Sequence, residues 1–319
     1  MDQWIVGIDL GGTKMALGLI DPDGQIATRR RLQTDADAGP ADVVERIAQS
    51  VADLARELPH GARIAVLGIC CPGPVDHEAG TPIDPPNIKG LHHAPLRQML
   101  SERLGLPACL EHDAKAAALG EFHHGAGRGE QNMVYIVVGT GVGAAIMIDG
   151  HLYRGACDAA GEVGHITLDR HGALCSCGSR GCVETYVSGP WLARRYQRAI
   201  EESGPVQGLE DGRAFDGADV TRLAGEGDVL AARIVAQGGE ALGVAVASMA
   251  MVLDIQLYVV GGGVARAGDL LLEPARRTVP ECSYPSVCRR VRIVGSELGD
   301  DGPILGCGWL ARQLLQSGD

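Results

Sequence analysis

Apolar residues arrive in short, uninterrupted runs near the start of the chain. Residues 4–10 (WIVGIDL) form one run, which stops at Gly11-Gly12; residues 15–20 (MALGLI) form the next, followed by the turn sequence DPDG at 21–24. Runs of this length, bounded by Gly, Pro and Asp, predict strands. A third strand is expected around 26–32. From 41 to 58 the period changes: Val43, Val44, Ile47, Val51 and Leu54 recur at three- and four-residue spacing, which lines one face of a helix. Residues 64–69 return to a strand and run into CCPGPVD. A similar layout returns later. MVYIVV (133–138) stops at GTGVG, 144–148 is the next strand, and Asp149-Gly150 turns the chain. A helix is expected over about 229–253, then a strand over 255–260 that ends in GGGVA. Both halves begin strand, glycine turn, strand, the layout of an internal duplication. Residues 203–228, rich in Gly and Asp, read as a surface connection between helices. The elements together predict an α/β chain.

Composition narrows the class. A length of 319 residues suits one large or two medium domains. Aromatic residues make up only 3 %, so Ala, Val, Leu and Ile must fill the core. The charge balance is 28 Lys plus Arg against 40 Asp plus Glu, a net −12. A nucleic-acid backbone is therefore not the expected partner, because counterion release needs a basic face. No signal-peptide pattern opens the chain. The longest nearly apolar run, 242–253, is too short to span a bilayer. No membrane partner is expected, and the cytoplasm is the expected compartment. There the ten cysteines stay reduced, so clustered ones read as metal ligands before disulfides.

Three turns carry the same physical message. DLGGT (Asp9 to Thr13, with Lys14 next), GTGVG (Gly139, Thr140, Gly141, Val142, Gly143) and GGG (Gly261, Gly262, Gly263) each follow an apolar strand. Glycines let backbone N–H groups approach a phosphate, and Thr13 and Thr140 add hydroxyls. Asp9 ends its strand, where a carboxylate can hold a hydrated Mg²⁺ beside phosphates. None of the three is a Walker A loop. Singly, each is more often a plain hairpin turn, but three in one chain favour phosphate contact, with Asp9, Gly11, Gly12, Thr13, Lys14, Gly139, Thr140, Gly141, Gly143, Gly261, Gly262 and Gly263 as the candidate contacts.

A denser constellation lies at 161–184, GEVGHITLDRHGALCSCGSRGCVE. His165, Cys175, Cys177 and Cys182 supply four N/S ligands, and Gly178 and Gly181 let the loop turn tightly. A Cys₃His set is closed and tetrahedral, suited to a structural Zn²⁺ rather than to water activation. Upstream, in LEHDAKAAALGEF, a helix begins right after Asp113, so the residues alone read Asp113 as a helix N-cap.

Six segments together resemble the ROK family, which groups bacterial sugar kinases with sugar-responsive repressors: DLGGTK (9–14), EHDAKAAALGE (111–121), GTGVG (139–143), GEVGH (161–165), CSCGSRGCVE (175–184) and VVGGGVA (259–265). The resemblance covers nearly the whole chain. It implies the actin/hexokinase-like (ribonuclease H-like) fold, two α/β domains around a central cleft where ATP and sugar meet. On that basis residues 1–115, completed by a C-terminal helix at about 303–319, form the smaller domain. Residues 116–302 form the larger one, with the zinc loop and nucleotide turns. The resemblance also implies that Asp113 is the catalytic base for a sugar 6-hydroxyl, and that Zn²⁺ is held by His165, Cys175, Cys177 and Cys182. It further implies that Glu162, His165 and Glu184 contact sugar hydroxyls, with Gly73 and Asn87 on sugar-side loops. A homodimer is expected by the same resemblance.

One departure bears on the substrate. The family usually reads Glu-Asn-Asp-Ala-Asn where this chain has Glu111-His112-Asp113-Ala114-Lys115. The first asparagine usually contacts ring hydroxyls, so His112 opens the choice of sugar. The expectation is an ATP- and Mg²⁺-dependent kinase of a glucose-type hexose. The alternatives are a kinase for a modified hexose (a 3-amino-glucose or an N-acylated hexosamine), a kinase for a C7-cyclitol, or a non-catalytic sugar-sensing protein. Repressors carry a DNA-binding segment before the DxGGT turn; only eight residues precede Asp9 here, which disfavours that reading. Polyphosphate in place of ATP stays open. His92, His93, His123, His124 and His171 fit no ligand spacing and are expected at the surface.

Overall fold

In this computed structural model, residues 2–318 apart from 36, 38, 86, 87 and 204–212 are described. They run in the order β1 (Gln3–Leu10), β2 (Lys14–Ile20), β3 (Ile26–Gln33), α1 (Pro40–Ala55), β4 (Arg63–Cys71), β5 (Val75–Asp76), β6 (Thr81–Pro82), α2 (Leu96–Leu104), β7 (Ala108–His112) and α3 (Asp113–His124). Then follow β8 (Met133–Val138), β9 (Val142–Ile148), β10 (His151–Tyr153), α4 (Glu184–Val187), α5 (Gly189–Ser203), α6 (Gly217–Gly225) and α7 (Val229–Leu253). The chain ends with β11 (Leu257–Gly261), α8 (Asp269–Cys282), α9 (Pro285–Cys288), β12 (Arg292–Gly295) and α10 (Gly302–Ser317). Two compact units result: Met1–Gly129 with Leu152–Ala159 and Leu298–Asp319, and Glu130–His151 with Ala160–Glu297.

The first unit is built on a sheet of order β3-β2-β1-β4-β7. Strands β1 and β2 form an antiparallel hairpin, and β4 and β7 add in parallel. Side chains alternate across the pleat. Val6, Ile8 and Leu10 of β1 join Val43, Ile47 and Val51 of α1 and Leu100 of α2 in one core. Ile5, one step out of phase, packs with Val66 and with Ile304 of α10 on the other face. Helix α10 lies unusually close there. A Cβ at Gly68 would collide with the Cys307 carbonyl, and one at Gly306 with the Ala116 carbonyl of α3.

The second unit repeats this plan. Its sheet order is β10-β9-β8-β11-β12, with β8 and β9 antiparallel and β11 parallel to both β8 and β12. The same topology appearing twice is what the duplicated strand–glycine turn–strand pattern foreshadowed. Its core joins Val134, Ile136 and Val138 of β8 to Leu242, Val246 and Met249 of α7 and Leu271 and Ala275 of α8. Helix α7, 25 residues long, is long and apolar enough to cross a membrane by length and composition alone, beyond what the run 242–253 suggested. In the fold, Ala231, Ile234, Val235, Leu242, Ala245, Val246, Met249 and Ala250 of this helix belong to this core.

Three expectations change. The first unit runs to Gly129 rather than to 115, because α3 packs along α10 and stays whole within it; the second unit ends at Glu297 rather than 302. Residues 203–228 are not one surface connection. Asp216 and Asp219 form a capping box that starts α6, and Val220 and Ala224 are buried; the Gly and Asp that suggested a loop are the helix-start signal. The part at 204–212 lies outside the described residues. His92, His93 and His171 are exposed, but His123 and His124 are half-buried. His123 stacks on Trp309 at 4.1 Å, and burial pulls its pKa down to about 4.

Candidate active site

Parallel strands bring their carboxyl ends to one edge of a sheet, the usual place for a ligand in an open α/β fold. In the first unit this edge collects Asp9 from β1, the β4 end at Cys71 followed by Gly73, and His112-Asp113 from the β7–α3 junction. The register aligns Asp9 with Cys70 and Cys71 with His112. Asp113 is the first residue of α3, where helix N–H dipoles favour a carboxylate. Its Oδ1 accepts from the Ala114 N–H at 2.6 Å and lies 3.4 Å from Nε2 of His112. The side chain keeps 40 % of its surface open. Crowding by surrounding protein nonetheless raises its carboxyl above the ordinary value, against the downward pull of His112 and the Ala114 N–H. Burial, and next the charge of Asp113, pushes Asp9 up to about 6. The Cys70 thiol donates to Asp9 Oδ1 at 3.6 Å.

The β1–β2 turn holds Gly11, Gly12, Thr13 and Lys14. Gly11 N–H donates to the Lys14 carbonyl at 3.1 Å, and the buried Thr34 hydroxyl donates to the Gly11 carbonyl at 2.6 Å. Thr13 and Lys14 are exposed. Asn87 lies outside the described residues.

Around Asp113 sits a charged set that sequence reasoning missed. Glu111, only 2 % exposed, pairs with Arg154 at 2.6 Å and accepts the His112 N–H at 2.9 Å. Lys115 is buried; its ammonium donates to the Asp158 carbonyl at 2.7 Å and lies 3.9 Å from Asp158 Oδ1. Asp158 also meets His77 Nδ1 at 3.0 Å. A glutamate inside the apolar strand ACLEH was a signal of this set. Arg154 and Asp158 carried none, because their partners Glu111, Lys115 and His77 lie far away in sequence.

In the second unit, strand pairing makes neighbours of two glycine turns: Val137 of β8 aligns with Gly261 of β11. Gly262 has φ 91°, and a Cβ there would strike the Val138 carbonyl. Beside these turns opens a cavity of about 1150 Å³. Gly139, Thr140, Gly189, Phe215, Gly263 and Arg266 are among its lining residues. The first turn of α5 and the start of α6 border it too, and neither was foreseen. The third turn, Gly11 to Lys14, belongs to the first unit.

The Cys₃His set assembles as its spacing suggested. Donor atoms of His165, Cys175, Cys177 and Cys182 all lie within 4.8 Å of one another. Zn–S bonds of about 2.3 Å at tetrahedral angles put sulfurs about 3.8 Å apart. Cys177 and Cys182 Sγ are 3.7 Å apart, and Cys175 Sγ is 3.7 Å from His165 Nδ1. The residues therefore fit a tetrahedral zinc. A Ser179 backbone hydrogen bond, ahead of smaller effects, draws the Cys177 thiol down to about 7, while burial pushes Cys182 up to about 12. Glu162 is exposed. Glu184 is half-buried and engaged by the Val142 N–H at 3.0 Å and the Ser176 hydroxyl at 3.3 Å.

The model of the ROK family matches residues 5–314. The chain belongs to the ROK family. Its two units are the actin/hexokinase-like α/β fold of ROK proteins. Glucokinase of Thermotoga maritima is 32 % identical over 98 % of this chain and 98 % of its own length. N-acetylmannosamine kinase of Salmonella arizonae is 33 % identical over 96 % and 98 %. The crystal structure of a ROK family glucokinase from Streptomyces griseus in complex with glucose and AMPPNP is similar with a TM-score of 0.81. It is 34 % identical to this chain and covers 97 % of it and 99 % of that chain. The ROK motifs thus divide between the units. DLGGTK and EHDAK share the edge of the first sheet, while GTGVG, GGG and the Cys₃His loop lie in the second.

Proposed function

We propose that this chain is an ATP-dependent sugar kinase that transfers the γ-phosphate of ATP to the 6-hydroxyl of a glucose-type hexose. The observation that carries this reading is Asp113, a carboxylate at the start of α3 on the same sheet edge as Asp9. Its raised carboxyl suits a group that must take up a proton. Asp113 accepts the 6-hydroxyl proton as that oxygen bonds to the γ-phosphorus, and the bond from phosphorus to the ADP oxygen breaks. Asp9 would hold a hydrated Mg²⁺, which supplies neutralising charge to the phosphate oxygens. Backbone N–H groups of Gly11 to Lys14, Gly139 to Gly143 and Gly261 to Gly263 would hold the phosphates, with the neighbouring cavity for the rest of the nucleotide. Gly73, Asn87, His112, Glu162, His165 and Glu184 would meet sugar hydroxyls. The Cys₃His set would hold a structural Zn²⁺ that keeps the backbone around His165 and Glu184 in place. A similar protein bound to glucose and AMPPNP supports both substrates.

His112 favours a second reading, a kinase for a hexose altered at C3 or C4, an N-acylated hexosamine or a cyclitol. One assay separates the readings. Purified protein is given ATP and Mg²⁺ with glucose, mannose, N-acetylmannosamine, a 3-amino-glucose or a C7-cyclitol, and ADP release is followed. Glucose-dependent ADP with hexose 6-phosphate as product is the expected result. Preference for another sugar moves the substrate to the second reading. Sugar binding with no ADP formed from ATP, and no sugar phosphate formed with polyphosphate as donor, would leave a sensing protein.

A further inference from the structure

We propose that Glu184 is a positioning residue that ties the Cys₃His loop to the β8–β9 glycine turn and thereby sets nucleotide affinity. The inference rests on reading that turn as a nucleotide contact. It adds an assignment for Glu184 apart from any contact with sugar.

Glu184 is the first residue of α4, two positions after Cys182. Its two carboxylate oxygens face different partners. Oε2 accepts the Val142 N–H at 3.0 Å, inside the GTGVG turn. Oε1 accepts the hydroxyl of Ser176 at 3.3 Å, and Ser176 stands between Cys175 and Cys177. Cys175 Sγ lies 3.9 Å from the same Oε1. The approach to the turn is tight: a Cβ on Gly141 would lie 2.8 Å from Glu184 Oε2. The other end of the turn is held by the same segment, since Gly189 N–H donates to the Gly139 carbonyl at 2.8 Å. Residues 184–189 therefore grip the turn at both ends.

A turn made mostly of glycine has few side chains of its own to hold its shape, and glycine loses more freedom than any other residue on ordering. Within the turn, Gly139 N–H donates to the Gly141 carbonyl at 2.9 Å. The charge-assisted bond from Val142 to Glu184 is stronger than a neutral one, so it selects one turn geometry. The charge itself works against an anionic ligand nearby. The two effects have opposite signs in a truncation, which makes the proposal decidable.

The experiment measures AMPPNP affinity by calorimetry without sugar, alongside melting temperature. Glu184→Ala is expected to weaken AMPPNP binding about tenfold, the scale of one lost hydrogen bond to a charged group. Glu184→Gln keeps a carbonyl acceptor and is expected to stay within about threefold of wild type. Unchanged or tighter binding in Glu184→Ala would overturn the proposal, as would equal loss in Glu184→Gln. Linkage supplies a second readout that Ser176→Ala tests without touching the turn. Saturating AMPPNP is expected to raise zinc affinity, measured at equilibrium against a competing chelator, in wild type, because coupling of binding free energies is reciprocal, and to lose that effect in Ser176→Ala. The same zinc affinity with and without AMPPNP in wild type would overturn the tie to the metal loop. A wild type that binds no AMPPNP overturns this proposal and the kinase reading together; one that binds it but phosphorylates no sugar overturns only the latter.

Discussion

Asp113, Asp9 and His112 stand side by side, yet each answers to a different force. As the proposed base, Asp113 would act through its charge and a vacant proton site. Asp113→Asn keeps the shape and loses both, so turnover should fall by about a thousandfold while sugar binding stays within about tenfold. Turnover near wild type would remove it as the base. Asp9 is governed by burial. Its folded pKa of about 6 stands above the ordinary 3.8, so its contribution to stability is fully present below pH 3.8 and is lost as pH rises through 6. Ionised Asp9 then costs on the order of 3 kcal/mol at neutral pH. Asp9→Asn should raise the melting temperature of metal- and nucleotide-free protein at pH 8, and the gain should vanish near pH 4; a gain independent of pH would count against the buried charge. His112 differs from the family's asparagine in shape: a ring with one donor and one acceptor, against a shorter amide. His112→Asn should change the ratio of kcat/KM between glucose and its C3 or C4 variants by more than about tenfold, the scale of one polar contact. Equal loss for every sugar would make His112 a prop. Sequence pointed to Asp113 as a base only through its family motif, because an aspartate opening a helix is ordinarily a cap. Its neighbours Lys115 and Asp158 show the limit of that approach: the pair spans a fold contact no local pattern announces.

At the level of elements, the glycine turns act by letting backbone come close. Gly262 combines φ 91° with the Val138 carbonyl against its missing Cβ, so no other residue fits without shifting β8 or β11. Lys14, by contrast, is an exposed side chain at the start of β2. Gly262→Leu should therefore raise the KM for ATP more than Lys14→Ala does, in steady-state kinetics at saturating sugar; the reverse ranking would point to a lysine clamp instead. Strands β1, β2, β4, β8, β9 and β11 and helices α1 and α7 were legible because runs and spacings of apolar residues are local. Helix α6 was not. Its capping aspartates look like turn residues until Val220 and Ala224 are seen to be buried.

Two five-stranded sheets share one topology, each with its own core. The Cys₃His loop belongs wholly to the second unit. Removing a metal held there should therefore act locally. Hydrogen exchange of chelator-treated protein should quicken at 163–188, while amides of β1 and β4 in the first unit keep their protection; uniform loss across both would show that the metal holds the whole chain. The sequence by itself determined the α/β class, the twofold strand–turn–strand plan, the Cys₃His cluster and the family, because periodicity, turn chemistry and residue spacing are properties of neighbouring residues. Only the tertiary structure decided which turns share a cavity, where the first unit ends, and that Glu111, Lys115 and Glu184 are bound to residues far along the chain. Strand order and burial bring such residues together, and neither is written in any short stretch of sequence.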